Sequence, residues 1–232
     1  MTGISIKQGD DIFIAPSGVQ KERIQPEDMF VYSVDGQEKN APPPHKGYKA
    51  SQCTPLFFAA YNKCGAGAVI HTHSQHAVRA TLLCKGDVMQ ITHQEMIKGI
   101  RKSCYGERLR YFDTLTVPII ENTTHESDLT ESLERAIAQH PDACAVLVRR
   151  HGVYVWGKDW IEAKTMCECY DYLFEMFVSM KVGGAQRVRL VLALLTRFLK
   201  VSSSFRLSVF FFVSARGVWM RCCGSCFSAD GH

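Results

Sequence analysis

Ala66-Gly67-Ala68-Val69-Ile70-His71-Thr72-His73 is an apolar run that ends in two imidazoles one residue apart, and Cys144-Ala145-Val146-Leu147-Val148-Arg149-Arg150-His151-Gly152 is a second that ends in one. Each has the length and composition of a short buried strand. Side chains alternate faces along a strand, so the rings of His71 and His73 leave on one side, where a third can join them from a strand far along the chain. A lone histidine at a strand end is usually on the surface or hydrogen-bonded, and His-x-His by itself is a weak sign. Three neutral nitrogens converging on one point are a stronger one. They leave a tetrahedral zinc ion one open position, with water to complete the sphere, which is the ligand set of a catalytic centre rather than a structural one. The segment Thr92-His93-Gln94-Glu95-Met96-Ile97-Lys98-Gly99 adds a carboxylate, Glu95, between the two runs. Metal, open position and carboxylate together can polarise a carbonyl and move the adjacent proton, so the pattern points to an enzyme.

The surroundings of the two runs set the fold class. Residues 12–14 and 29–34 read as strands, with a turn at Pro16-Ser17-Gly18 after the first and Asp35-Gly36 after the second. Residues 40–49, with Pro42-Pro43-Pro44, form an exposed connection. Thr54 as N-cap and Pro55 in the first turn open a helix to about Lys63, with Gly65 near its end, and Ser74 caps another through Leu83. Residues 115–120 read as a strand, and Ser127 opens an amphipathic helix through Gln139 with Leu129, Leu133, Ala136 and Ile137 on one face. After residues 153–156, a long helix starts near Asp159, with Trp160, Ala163, Met166, Tyr170, Leu173, Phe174 and Phe177 at helical spacing, which makes them core. Strands alternating with helices predict an α/β protein of three layers, α/β/α, and the hairpin turns favour a largely antiparallel central sheet.

Composition excludes several function classes. The chain of 232 residues can bury one sizeable core. Residues 187–232 carry seven Lys and Arg against Asp230 alone, a net of +6, which leaves residues 1–186 at a net of −2 and gives no reason to expect a nucleic-acid partner. No charged stretch followed by an apolar one opens the sequence, and Cys84, Cys144 and Cys167 sit inside apolar segments. The ten cysteines therefore read as reduced thiols of a cytoplasmic protein. Cys223-Gly224-Ser225-Cys226 stands alone, with no second pair. The apolar runs 190–195 and 207–215 are broken by Arg197, Lys200, Arg206 and Arg216, so neither reaches the roughly 20 residues of a membrane span. The expected organisation is a catalytic domain over 1–186 and a divergent tail over 187–232, of the kind alternative splicing or translation of ordinarily non-coding sequence produces.

Thr54-Pro55-Leu56-Phe57, His71-Thr72-His73-Ser74, the stretch from His93 to Gly99 and Arg149-Arg150-His151-Gly152-Val153-Tyr154-Val155-Trp156-Gly157 together resemble the class II aldolase/adducin family over about residues 3–183. Within it they are most similar to its dehydratases of 5-methylthioribulose 1-phosphate, which act in methionine salvage and are also linked in animals to inhibition of apoptosis. The resemblance implies a homotetramer whose active sites form where neighbouring subunits meet, one zinc ion per subunit, a sugar phosphate substrate and an apoptosome-related protein partner. It makes His71, His73 and His151 the zinc ligands, Glu95 the general acid/base and Cys53 a substrate contact where the family's aldolases carry a catalytic carboxylate. By itself Cys53 is a half-buried cysteine at a helix start. Ser17, Gly18, Ser51 and Lys21 are candidates for the substrate phosphate, since backbone N–H groups of a turn, a hydroxyl and an ammonium all suit an anion. Without the family, Ser17-Gly18 is an ordinary turn. The resemblance also implies that Gly3-Ile4-Ser5 is the end of a glycine-rich phosphate loop, and that nothing of the family continues past about Val182. The alternatives are a sibling sugar-phosphate aldolase and a non-catalytic protein-binding regulator, as the adducin members are.

Overall fold

The computed structural model describes residues 2–202, 209–214 and 217–222, with the side chains of residues 3–184. Two compact units divide the chain, Met1–Lys181 and Val182–His232. The first is built on nine strands: β1 Thr2–Gln8, β2 Asp11–Ile14, β3 Phe30–Ser33, β4 Glu38–Asn40, β5 Ala68–Thr72, β6 Val88–Thr92, β7 Thr114–Ile120, β8 Ala145–Val148 and β9 Gly152–Gly157. Their order across the sheet is β4-β3-β2-β1-β5-β9-β8-β7-β6. Every neighbouring pair is antiparallel except β7 with β8. The central β8 and β9 are buried at every position, as their unbroken apolar sequences require, while β2 and β3 alternate buried and half-buried residues.

Helices flank the sheet. The helix α1 (Thr54–Cys64) packs on α3 (Thr130–Gln139), and α2 (Gln75–Leu83) lies against β8 and β9. A long helix, α4 (Trp160–Ser202), sets Ala163 against Ala68 and Ile70 of β5. Val69, on the opposite face of that strand, joins the main core with Leu56, Phe57, Trp156 and Phe174. The outcome is the expected α/β architecture with a largely antiparallel sheet.

Four local expectations change. Residues 3–5 are not a loop: they lie inside β1, with Gly3 opposite His71 across the antiparallel ladder to β5. The polar Ser5 is tolerated there because Tyr61 donates to its hydroxyl at 2.7 Å. Strand β6 is a further addition, obscured in the sequence by the glycine and charges that precede it. Thr54 lies within α1, and Cys53 is the N-cap; the Thr54 hydroxyl donates back to the Ser51 carbonyl at 2.7 Å. The helix expected from Ser127 begins as a short 3-10 turn, Glu126–Leu129, ahead of α3. Ser74 does cap α2, accepting from the backbone N–H of His76 and Ala77. In the second unit, Val209–Ser214 pairs antiparallel with Gly217–Cys222. Residues 203–208, 215–216 and 223–232, with the Cys223/Cys226 pair, lie outside the described residues. Among the described residues no helix is long and apolar enough to cross a membrane.

Candidate metal centre

β5 and β9 run antiparallel with His71 directly opposite Tyr154, and this register builds the site. The two rings stack at 4.1 Å between centroids, which buries His71 to 2% exposure. His73 follows on the same side, its ring 4.8 Å from that of His71. His151 arrives from the turn between β8 and β9, 5.0 Å from His71 and 4.8 Å from His73. That turn is held from outside. Arg149 donates to the carbonyls of Thr81, Cys84 and Gly86 at 2.8, 3.0 and 2.9 Å and pairs with Glu121 at 2.6 Å. Arg150 adopts a left-handed backbone, φ 59°, stabilised by its N–H to the Thr81 hydroxyl at 3.0 Å.

Gly152 is there because nothing larger fits. A Cβ at this position would stand 2.2 Å from the carbonyl oxygen of Thr72, the residue between His71 and His73. Gly152→Ala is expected to cost about 1–3 kcal/mol of stability, as overpacking of a tight contact does. Urea denaturation measures this, and metal affinity should fall with it. An alanine variant that unfolds and binds metal like the parent would mean that the strands hold the rings independently.

The ring nitrogens carry the chemical signature. His71 Nδ1 donates to the Val153 carbonyl at 3.1 Å, and burial pushes its imidazole down to about 3 against the pull of Glu126. The ring is therefore neutral, with the lone pair on Nε2. That atom is buried without a hydrogen-bond partner, 3.2 Å from a carboxylate oxygen of Glu126. Two acceptors face one another, an arrangement that calls for a cation. His151 Nδ1 is paired with Asn122 Oδ1 at 3.0 Å, which turns its Nε2 toward His73 Nε2 at 3.1 Å. Burial, with His151 nearby, also lowers the pKa of His73. Converging imidazoles whose outer nitrogens are tied by acceptors, as those of His71 and His151 are here, are how proteins hold zinc or a similar ion. The residues present fit such a metal.

Around the histidines lies a cleft of about 130 Å³ lined by Gly3, Ser17, Gly18, Lys21, Ser51, Gln52, Cys53, His71, His73 and Glu126. It brings together every residue singled out in the sequence except His151, at the cleft's edge, and Glu95. Ser17 is tied to Lys49 by its N–H at 2.9 Å, and Gly18 takes φ 70°. Lys21 is half-buried, its ammonium donating to the Pro16 carbonyl at 2.5 Å, and burial lowers its pKa. Burial and the neighbouring Glu126 push the Cys53 thiol up to about 12, so it stays protonated and is no nucleophile at neutral pH. Glu95 stands apart. It opens a short 3-10 turn, Glu95–Gly99, is 71% exposed and pairs with Lys98 at 2.6 Å.

Sequence reasoning did not find Glu126, Tyr154 or Asn122. Tyr154 was legible in principle, since it alternates with Val153 and Val155 on a strand that must face the first run. Glu126 and Asn122 come from the connection after β7, where no periodicity marks which side chain turns inward.

Residues 1–178 match the Class II Aldolase and Adducin N-terminal domain. Methylthioribulose-1-phosphate dehydratases from Gallus gallus and Homo sapiens are 65% and 64% identical over 182 residues, 78% of this chain and 75% of each relative. Among solved structures, an L-fuculose 1-phosphate aldolase aligns with a TM-score of 0.61 at 18% identity, over 79% of this chain and 77% of its own. Another, from Thermus thermophilus, aligns at 0.53 and 20% identity over 83% and 86%. These likenesses, covering the sheet, the helices and the three histidines, establish that the chain belongs to the class II aldolase and adducin family.

Proposed function

We propose that the chain is a zinc-dependent hydro-lyase that removes water from 5-methylthioribulose 1-phosphate, giving 2,3-diketo-5-methylthiopentyl 1-phosphate. The observation that carries this reading is the buried, unpartnered Nε2 of His71 among three converging imidazoles, in a chain 65% identical to dehydratases of that name. His71, His73 and His151 would hold one zinc ion per subunit, which would supply positive charge to offset negative charge developing on the substrate oxygens. Glu95 takes the proton from C3 and returns it to the hydroxyl leaving C4 as water; the enol that remains tautomerises to the diketone. The Cys53 thiol, protonated, positions the substrate without attacking it. Ser17, Gly18, Ser51 and Lys21, which share the histidine cleft, are proposed to hold the phosphate.

Glu95 does this work only across a subunit boundary. Its exposure, and the exposed Tyr111, Phe112 and Met180 on neighbouring segments, support a closed homotetramer in which Glu95 of one subunit completes the site of another. The aromatic side chains of α4 add little to this assembly, since Tyr170, Phe174 and Phe177 are buried in the core. We assign the catalytic domain to residues 1–186 and leave 187–232 outside it. We place the reaction in methionine salvage in the cytoplasm on the family resemblance alone. A partner role in restraining apoptosis rests on the family resemblance alone.

The test is metal analysis of protein purified without added metal, together with an assay on 5-methylthioribulose 1-phosphate. About one zinc per chain and formation of the diketone are expected. A retro-aldol product would favour the aldolase reading, and full activity without metal would end the assignment of the centre.

A further inference from the structure

The histidines are not the only groups aimed at the metal position. The 3-10 turn Glu126–Leu129 brings Glu126 beside His71 and His151, and its carboxylate is held rather than free. The Tyr154 hydroxyl donates to Glu126 Oε1 at 2.5 Å, and the same oxygen lies 3.2 Å from His71 Nε2 and 3.8 Å from His151 Nε2. Two ligands at zinc distances of about 2.0–2.1 Å and tetrahedral angles are separated by about 3.3 Å. The His71–Glu126 separation has that length, as does the 3.1 Å between His73 and His151. His71, His73, His151 and Glu126, from three chain segments, thus supply two donor–donor separations of the length one coordination polyhedron needs. The carboxylate belongs to this chain and to a residue that the three-histidine reading leaves without a role.

We propose that Glu126 is a fourth protein ligand of the metal in the substrate-free subunit, oriented by Tyr154. This inference rests on the metal-centre reading above and replaces the water expected in the fourth position. The carboxylate balances the charge of the cation that three neutral imidazoles leave unbalanced, beside a His71 ring that is itself buried. Substrate oxygens would then enter by displacing it or by raising the coordination number, as catalytic zinc sites allow. Tyr154 gives the released carboxylate a partner that is already in place.

The experiment uses the full chain stripped of metal, with Zn²⁺ affinity measured by chelator competition and Co²⁺ loaded as a spectroscopic probe. Glu126→Gln keeps the acceptor for Tyr154, so the fold is preserved, but it offers a neutral and weaker donor. Affinity is expected to fall on the order of 100-fold, the upper end of what groups around a metal contribute. The visible bands of the Co²⁺ form should change in position and intensity, and Glu126→Asp should recover part of both. Asp128→Asn removes an equally charged, exposed side chain two residues on and should change neither. If Glu126→Gln matches the parent in affinity and spectrum while His71→Ala binds no metal, the inference fails and the histidine centre stands. An unchanged Co²⁺ spectrum with weaker affinity would place Glu126 outside the coordination sphere and overturn it as well. Equal losses in Asp128→Asn would reduce the effect to general charge. If His71→Ala itself binds metal like the parent, the underlying reading falls.

Discussion

Glu95→Gln lowers turnover by about 10²–10⁴-fold while the protein keeps its metal, its assembly and its thermal midpoint. The magnitude is that of losing a placed proton-transfer group. The sparing of everything else follows from position: Glu95 is 71% exposed, its ion pair with Lys98 is a surface contact, and it is absent from the cleft that holds the histidines. A surface pair of this kind contributes little to stability. The two demands, a large kinetic effect and no structural one, meet only if a neighbouring subunit brings Glu95 to the substrate. Mixing settles this. Inactive Glu95→Gln and inactive His71→Ala subunits, dissociated and reassembled together, should recover activity, because some interfaces then pair an intact metal centre with an intact carboxylate. Rates unchanged by Glu95→Gln would remove the residue from the mechanism. A fully active monomer in light scattering would remove the shared site.

What the sequence makes legible here is decided by periodicity. The two runs that end in His71, His73 and His151 could be placed on central strands because those strands are buried on both faces and so read as unbroken apolar stretches. The helices α1, α2 and the start of α4 were legible from caps and from 3.6-residue spacing. Strand β1 was not, because Gly3-Ile4-Ser5 combines a glycine with a polar residue that is buried in the fold; only the long-range contact with Tyr61 satisfies Ser5, and no local pattern announces a partner 56 residues away. Glu126 illustrates the same limit at the site. A carboxylate in the loop Glu121 to Ser127 has several acidic and polar neighbours, and which of them turns inward depends on the packing of Leu129 in the core and on the Tyr154 hydroxyl across the sheet. His71 could be read from its strand, where alternation dictates direction, and His73 and His151 from the runs that lead into them. Glu126 and Asn122 come from the connection after β7, where no such rule applies.

The second large effect concerns His71, the one ligand that is both buried and central. Stripping metal from the parent protein is expected to lower its thermal midpoint, since any ion that binds only the folded chain stabilises it by RT ln(1 + [L]/Kd). At a free concentration 100 times Kd that is about 2.7 kcal/mol, or roughly 5–11 °C at the 2–4 °C per kcal/mol typical of chains this long. His71→Ala should abolish tight metal binding and most activity, and its midpoint should no longer respond to chelator. Scanning calorimetry with and without chelator reads both. A pH dependence separates the ring from the hole it leaves. In the metal-free parent, His71 titrates at about 3, below the value near 6.5 it has when unfolded. The unfolded chain therefore binds a proton first as pH falls, so the contribution of the neutral ring is complete above about 6.5 and is lost between 6.5 and 3. The alanine variant has no such proton to bind, and its midpoint should fall less steeply over that range than that of the stripped parent. If the two slopes coincide, His71 is not the buried neutral imidazole on which the centre depends. If chelator still lowers the midpoint of the variant, the metal is held elsewhere in the chain.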